Sequence, residues 1–349
     1  MSEPLLRVEG LVKDFAVTRG AVFRRQSGTI RAVDDVSFEV TAGETLGVVG
    51  ESGCGKSTLA RCIMRLTDVD AGRIEFEGRD ITHLSRREMR AVRSSMMMVF
   101  QDPYESLDSR MRVGSIVAEP LEIYKRRPPG GIRRRVEELL DRVGLRPEHY
   151  DRFPHEFSGG QRQRIGIARA LALEPKLIVC DEPVTALDVS VQAQILNLLA
   201  DLQADYGLTY IFIAHDLDVV RHVSDRLYVM YLGQVAEHGR CEDVYAHPRH
   251  PYSASLLAAV PVADPKLARA RKPIVLDGEI PSPLDRPSAC RFHTRCPRAQ
   301  EICSTEAPAA RIFERDHRAW CHFPVERWPL QDPSELGSRT ERIITAQPG

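Results

Sequence analysis

Residues 44–66, "ETLGVVGESGCGKSTLARCIMRL", decide the fold of this 349-residue chain. The stretch opens with an apolar run typical of a strand buried in a parallel sheet, and it closes with a pattern that predicts a helix. Between them, "GESGCGKS" (Gly50 to Ser57) fits the phosphate-loop pattern G-x-x-x-x-G-K-[ST]. Glycines at these positions let backbone N–H groups wrap around an anion. We therefore predict an α/β domain that binds a nucleotide.

The side chains of this loop suggest separate roles in phosphate binding. Lys56 would reach the β- and γ-phosphates, and the Ser57 hydroxyl would ligate Mg²⁺. The other predicted nucleotide-binding residues of the loop and its following helix are Gly50, Glu51, Ser52, Gly53, Cys54, Gly55 and Thr58.

A second buried strand, "LIVCDE", ends in two acidic residues, Asp181 and Glu182. Ligands of parallel sheets bind at the carboxyl ends of the strands, so these carboxylates would face the nucleotide. Asp181 would hold Mg²⁺, and Glu182 would orient and polarise a water molecule for attack on the γ-phosphate. The chain then has the parts needed for phosphoryl transfer to water.

The remaining pattern alternates strands with helices, which indicates a parallel sheet. Further strands are predicted in "LLRVEGLV", "VSFEV", "MMMVFQ" and "TYIFIAH", and helices in "RRRVEELLDRVGL" and "VQAQILNLLADLQADYG". Residues 102–157 read as a mostly helical insertion, and residues after about 250 as Pro-rich loops ("HPYSAS", "EIPSPLDRPS"). We place a core domain at 1–250, a C-terminal extension at 251–330 and a frayed tail at 331–349.

A second anion site is predicted at "FSGGQRQR", where Ser158, Gly159 and Gly160 open a helix that continues through Gln161. One nucleotide does not need two such sites from the same chain. A second site makes sense if it closes on the nucleotide of another subunit.

In this order the motifs resemble those of the ATP-binding-cassette ATPases, whose fold is a RecA-like P-loop NTPase sheet with an antiparallel β subdomain and an inserted helical subdomain. "VFQDP" supplies Gln101 of the glutamine loop, "SGGQ" is the signature, "TALD" carries Asp188 of the dimer loop, and "IAHD" carries the switch histidine His215. The resemblance implies that two cassettes dimerise head to tail around ATP. It also implies that Gln101 senses the γ-phosphate, Mg²⁺ and the transmembrane partner, and that His215 contacts the γ-phosphate.

Two departures and one open assignment accompany this resemblance. Phe157 stands where the signature usually begins with Leu, and Thr185 where Ser is common in the dimer loop. Phe15 in "KDFAV" resembles the aromatic residue that stacks on adenine, although a core role for Phe15 stays open.

Longer phrases narrow the resemblance to the ATPase subunits of oligopeptide and dipeptide importers, nickel importers among them. These phrases are "VVGESGCGKST", "VFQDPYESLDSRM", "HPYSASLLAAVP" and "GEIPSPLDRPSACRFHTRCP". They imply a peripheral subunit on the inner face of a bacterial cytoplasmic membrane, docked on two transmembrane permease subunits and fed by an extracytoplasmic binding protein. The N-terminal insertion resembles the second of two paralogous ATPases, so we expect a heterodimer, with a homodimer as the alternative.

Composition limits the other classes. With a net charge of −1 the chain has no global positive field, so we expect no nucleic acid as partner, although a soluble cassette acting on DNA or ribosomes is the alternative from another class. The N-terminus lacks the apolar core of a signal, and no run reaches the roughly 18 apolar residues that span a bilayer. We expect a soluble chain whose thiols are mostly reduced.

A last feature is the spacing C-x5-C-x6-C-x17-C formed by Cys290, Cys296, Cys303 and Cys321. Four thiolates in a loop-rich segment suit an iron–sulfur cluster or tetrahedral zinc. The resemblance to peptide-importer ATPases favours a [4Fe–4S] cluster, while His293 and His322 are alternatives for zinc, and unligated thiols are the third reading.

Overall fold

The structure is a computed structural model that describes residues 3–19, 25–102, 106–185, 187–260 and 278–327. The chain divides into two compact units. Unit one comprises Met1–Glu9, Ser37–Leu46 and Leu59–Ala214, and unit two comprises Gly10–Val36, Gly47–Thr58 and His215–Gly349. Within the described ranges, we find no helix that combines the length and the apolar character needed to span a membrane.

The strands of the described ranges are numbered in chain order. They are β1 (Leu6–Arg19), β2 (Arg25–Val40), β3 (Thr45–Val49), β4 (Ala71–Phe76), β5 (Arg79–Asp80), β6 (Met96–Val99), β7 (Leu177–Asp181), β8 (Thr209–Ile213), β9 (Arg226–Tyr231), β10 (Gln234–Arg240), β11 (Ala310–Ile312) and β12 (Arg318–Trp320).

The α-helices are numbered in the same way. They are α1 (Lys56–Ile63), α2 (Arg86–Arg93), α3 (Val113–Ile123), α4 (Gly131–Arg142), α5 (Gly159–Leu171), α6 (Val189–Tyr206), α7 (Leu217–Val223), α8 (Cys241–Ala246), α9 (Pro251–Ala259) and α10 (Glu301–Thr305).

A four-stranded sheet has the order β2-β1-β4-β5. The end of β2 shows the period of two that a half-buried strand requires, because Val36, Phe38 and Val40 are buried while Ser37 and Glu39 between them are exposed. The predicted strands "LLRVEGLV" and "VSFEV" are confirmed. The pairs β4–β5 and β9–β10 were not predicted from the sequence.

The parallel strands of unit one lie in the order β6-β7-β8. Every residue of β7 and β8 is buried, as their continuous apolar sequences predict. The register pairs Asp181 with Ile213, so the carboxyl ends of β7 and β8 lie side by side. Asp181, the last residue of β7, and Glu182, which follows it, therefore lie at the carboxyl edge of the sheet.

The predicted helical insertion has the expected secondary structure in its described part. Residues 102 and 106–157 contain α3, α4 and two short 3-10 turns, with no strand. Helix α3 packs against both α4 and α5. The buried faces of α3 and α4 are apolar and include Val117, Leu121, Leu139 and Leu140, so the insertion has a core of its own.

In unit two, β9, β10, β12 and β11 pair in that order, antiparallel throughout. The buried carboxylate of Glu237 on β10 accepts hydrogen bonds from the backbone N–H groups of Arg249 and His250, at 2.7 Å each, and contacts Nε2 of His317 at 2.6 Å. Because β12 pairs with β10, part of the C-terminal extension belongs to this sheet.

One expectation was wrong. "HPYSAS" was predicted as a Pro-rich loop, but it opens helix α9, with Pro251 at the first helical position and the His250 ring accepting from the Tyr252 N–H at 3.0 Å. Proline is tolerated at a helix start because its missing N–H would have no intrahelical partner there. The predicted frayed tail at 331–349 lies outside the described residues.

Candidate nucleotide-binding site

The phosphate loop joins the end of β3 to the start of α1, as predicted, and two of its glycines are required by close backbone contacts. A Cβ at Gly55, whose φ is 109°, would lie 2.0 Å from the carbonyl oxygen of Ala32. A Cβ at Gly50 would lie 2.2 Å from the carbonyl oxygen of Met230. The loop can therefore adopt this path only with glycine at both positions.

Lys56 is held inside the loop. Its side chain is buried, at 4% exposure, and Nζ donates to the carbonyl oxygens of Gly50 at 2.8 Å and Glu51 at 3.1 Å. The cation is thus fixed by the loop that it follows, and Ser57 and Thr58 lie half-buried in the same first turn of α1. Such a caged ammonium is suited to receive an anion, which would replace the weaker carbonyl contacts.

Cys54 sits beside this lysine, with Sγ 3.9 Å from Nζ. Burial raises the pKa of the Cys54 thiol, which keeps it neutral. The thiol therefore behaves as a passive small residue of the loop, because an oxidation-sensitive cysteine needs thiolate character.

The acidic pair lies in unit one. Asp181 is the buried last residue of β7, and Glu182 follows with a left-handed backbone, φ 47°, while its N–H donates to the carbonyl of Ile213 at 2.9 Å. This conformation is costly for a residue with a Cβ, and strain of this kind concentrates at functional sites.

The structure brings Gln101 and Glu182 together. Nε2 of Gln101 donates to the Glu182 carboxylate at 2.9 Å, and the Thr185 hydroxyl lies 3.3 Å from the same oxygen. The sequence assigned these residues separate roles, and it gave no signal of this contact. A polar cluster therefore forms where β7 ends.

The switch histidine, His215, belongs to unit two and is exposed. It follows β8 by two residues and precedes α7, whose first turn is capped by Asp216 through the N–H of Asp218 at 2.8 Å. This cap fixes the direction in which the chain leaves His215.

The signature segment forms a reciprocal helix cap at the start of α5. The Ser158 N–H donates to Oε1 of Gln161 at 3.1 Å, and the Gln161 N–H donates to the Ser158 hydroxyl at 3.4 Å. A Cβ at Gly160 would lie 2.3 Å from Cγ1 of Val191, so Gly160 allows α5 to pack closely on α6. Phe157 is buried and keeps the apolar character usual at that position.

Phe15 and Asp188 are both accessible. Phe15 on β1 is 41% exposed, with Nζ of Lys13 5.3 Å from the ring centroid, so the core role left open by the sequence does not describe it. Asp188 is the exposed N-cap residue of α6 and makes no side-chain capping hydrogen bond.

The C-terminal extension gathers Cys290, Cys296, Cys303 and Cys321 around one small cavity. Aromatic side chains line the cavity as well, Phe292 and Phe323 among them. Burial raises the pKa of the thiols of Cys296 and Cys321 to about 12 each. No disulfide joins any of the eight cysteines, all of which lie in the described ranges.

This arrangement falls short of a formed metal site. Within the described ranges, no three side chains of His, Cys, Asp or Glu are positioned to hold a metal ion. The residue types nevertheless suit a thiolate-ligated metal centre, since four cysteines line one cavity with largely apolar walls. His293 and His322 line the same cavity.

Two contacts to the phosphate loop were missed by the sequence-based reasoning. Arg295 of the C-terminal extension forms a bidentate ion pair with Glu51, and the Tyr252 hydroxyl accepts from the Glu51 N–H at 2.8 Å. The partners are more than 200 positions apart, so no local pattern could indicate them.

Comparison with known proteins agrees with this geometry. Residues 33–185 match the family described as "ABC transporter", and residues 236–303 match "Oligopeptide/dipeptide transporter, C-terminal region". The chain is 52% identical over its whole length to a probable peptide ABC transporter ATP-binding protein, y4tS of Sinorhizobium fredii, of which it covers 98%. It is 50% identical to the oligopeptide transport ATP-binding protein AppF of Bacillus subtilis, covering 92% of this chain and 98% of AppF.

Solved structures show the same fold. The cbiO1 protein of Clostridium perfringens, part of the ABC transporter complex cbiONQ, aligns with a TM-score of 0.61 and 31% identity over 70% of this chain and 91% of that chain. The ATP-binding cassette MJ0796, in a dimeric post-hydrolysis state bound to ADP and phosphate, aligns with a TM-score of 0.60 and 27% identity over 68% of this chain and 98% of that chain.

Proposed function

The chain belongs to the family of ATP-binding proteins of peptide ABC transporters, and from this premise we propose that it powers the import of oligopeptides or dipeptides across a bacterial cytoplasmic membrane. It is an ATPase of the cassette type. The observation that carries the catalytic assignment is the Gln101–Glu182 contact at the end of β7, formed by a glutamate with a strained backbone. The C-terminal match supports the peptide class.

ATP would be held by the phosphate loop and by an aromatic residue. Backbone N–H groups of Gly50–Thr58 bind the phosphates, and the Lys56 ammonium moves from the loop carbonyls to the β- and γ-phosphate oxygens. The exposed ring of Phe15 offers a stacking surface for adenine.

Mg²⁺ would be held by oxygen atoms of Ser57, Gln101 and Asp181. A hydroxyl, an amide and a carboxylate are the hard donors that this ion prefers. When bound, the ion neutralises charge on the β- and γ-phosphates.

Hydrolysis is assigned to Glu182 and His215. The Glu182 carboxylate orients and polarises the attacking water and accepts its proton, while the water oxygen bonds to the γ-phosphorus and the bond to the ADP oxygen breaks. His215 contacts the γ-phosphate and stabilises the charge that develops there. The products are ADP and phosphate.

A second subunit completes the site. We propose that Ser158, Gly159, Gly160 and Gln161 of one cassette, together with Asp188, close on the ATP bound by the other. The N-terminus of α5 suits this role because backbone N–H groups at a helix start favour an anion. The partner is a paralogous ATPase, and ATP-driven closure moves the helical insertions that contact two permease subunits, fed by an extracytoplasmic peptide-binding protein.

The C-terminal cysteines would hold a [4Fe–4S] cluster, with zinc as the alternative metal. The convergence of Cys290, Cys296, Cys303 and Cys321 on one cavity supports this proposal, because cluster irons are held by four thiolates. Metal binding would deprotonate the thiols and stabilise an extension with a small core.

The test is reconstitution in liposomes with the permease subunits, the paralogous ATPase and the binding protein. Loading with peptide-bound binding protein should raise ATP turnover and carry labelled peptide across the bilayer. A chain that fractionates with ribosomes or DNA, and whose turnover ignores the permease, would contradict the proposal. Uptake of nickel without peptide would reassign the substrate.

A further inference from the structure

Glu51, the second residue of the phosphate loop, forms an ion pair with a buried arginine of the C-terminal extension. Nη1 of Arg295 lies 2.7 Å from Oε2 of Glu51, and Nη2 lies 3.0 Å from Oε1. Arg295 is only 8% exposed. A bidentate, largely desolvated arginine–carboxylate pair is both stronger and more directional than a surface pair.

The backbone of Glu51 is held as well. Its N–H donates to the hydroxyl of Tyr252 at 2.8 Å, and Tyr252 is fully buried against Tyr231 and Phe292, with ring centroids 4.7 and 5.4 Å away. The Tyr231 hydroxyl lies 3.4 Å from Nη1 of Arg295. Both the side chain and the N–H of Glu51 are thus fixed by one packed cluster.

Glu51 connects Arg295 to Lys56, the cation of the phosphate loop. The carbonyl oxygen of Glu51 accepts from Nζ of Lys56 at 3.1 Å, so Glu51 contacts Arg295 with its side chain and Lys56 with its backbone. A shift of Glu51 would therefore move a carbonyl that positions the lysine. In these hydrogen bonds Arg295 and Lys56 each contact Glu51 and do not contact each other.

We propose that Arg295 is a positioning residue for nucleotide binding, which acts through Glu51 to hold the phosphate loop and Lys56 ready for the triphosphate. The inference rests on the proposed function only in assuming that the loop binds ATP. Because Arg295 directly precedes Cys296, the same contact links the four-cysteine extension to the ATP site.

The test is a titration of the full chain with a fluorescent ATP analogue. Arg295→Ala should weaken binding by about 5- to 150-fold, the ordinary range of coupling between sites. The affinity of Arg295→Lys should lie between those of the parent chain and Arg295→Ala, because a lysine ammonium keeps the charge but cannot form the bidentate pair. Arg318→Ala, which removes an arginine from an exposed ion pair with Asp316 in the same extension, is the matched control and should bind like the parent chain.

A double-mutant cycle separates positioning from general damage. If Arg295 acts through Glu51, Arg295→Ala should have little further effect on affinity in a Glu51→Ala background. Additive losses, or unchanged affinity in Arg295→Ala, would overturn the proposal. Circular dichroism checks folding, and if Arg295→Ala fails to fold, Glu51→Ala alone must still weaken binding. A parent chain that binds no ATP would instead refute the proposed function.

Discussion

The side-chain amide of Gln101 donates a 2.9 Å hydrogen bond to the carboxylate of Glu182, 81 residues later in the chain. The contact joins the end of β6 to the end of β7, two strands that lie side by side in parallel. It places the residue assigned to sensing next to the residue assigned to hydrolysis. A change at Gln101 can therefore reach the Glu182 carboxylate directly.

The first prediction concerns Glu182. Glu182→Gln should lower ATP turnover by about 100-fold or more, because the amide cannot accept a proton from water as a carboxylate does. Binding of ATP should persist. Phosphate release and fluorescent-ATP titration measure the two effects, and the control is Glu137→Gln on α4, a half-buried glutamate paired with Arg133. Retained turnover in Glu182→Gln would remove Glu182 from the catalytic role.

The second prediction concerns the packing of the signature helix. Gly160→Ala should destabilise the chain by about 1–3 kcal/mol, since the added methyl group would meet Val191 at 2.3 Å. Gly166→Ala in the same helix has no atom within 4 Å of the new Cβ and should stabilise by about 0.5–1 kcal/mol. Thermal unfolding of both variants decides this, and equal shifts would contradict the packing argument.

The third prediction concerns the phosphate loop. Gly55→Ala should abolish measurable ATP binding, because its Cβ would lie 2.0 Å from a backbone oxygen. Gly53→Ala, also at positive φ but in open space, should cost about 1–2 kcal/mol of backbone strain and leave binding detectable. A Gly55→Ala chain with the parent's affinity would show that the loop tolerates another path.

The fourth prediction is a pH dependence of stability. Burial lowers the pKa of His238 to about 4, with Arg226, Arg318 and His317 acting in the same direction and Asp316 opposing them. In the unfolded chain His238 binds a proton near pH 6.5, whereas in the folded chain it stays neutral until about pH 4. The neutral, buried His238 therefore contributes to the free energy of unfolding above pH 6.5, and this contribution is lost as the pH falls towards 4.

The measurement compares the parent chain with His238→Phe, which keeps an aromatic ring stacked on Tyr228. Between pH 6.5 and 5 the parent's free energy of unfolding should fall by about 1.5 kcal/mol more than that of the variant. Parallel pH curves for the two proteins would show that His238 does not titrate in this way.

The fifth prediction concerns the cysteines. Anaerobic purification should yield a brown chain with about four iron atoms and matching sulfide. Cys303→Ser should lose the iron, while Cys241→Ser, a buried thiol on α8 outside the cavity, should keep it. A colourless chain with one zinc would replace the cluster with the alternative metal, and a metal-free chain would leave the thiols unligated.

The sequence by itself determined the α/β fold and the position of the phosphate loop between β3 and α1. The strand–loop–helix pattern around Gly50 to Ser57 and the apolar run before Asp181 are local signals, because burial and phosphate binding impose residue types on consecutive positions. The strands and helices predicted from such runs are confirmed. Helix α9 was missed because proline reads as a loop when its position in a helix start is unknown.

Only the tertiary structure decided which distant residues meet. The contacts Gln101–Glu182 and Arg295–Glu51, and the gathering of four cysteines around one cavity, depend on strand register and on the packing of the C-terminal extension. No local sequence pattern indicates such contacts, since an ion pair needs only compatible side chains at positions that the fold brings within about 3 Å. The identity of each residue sets its chemistry, and packing selects its partner.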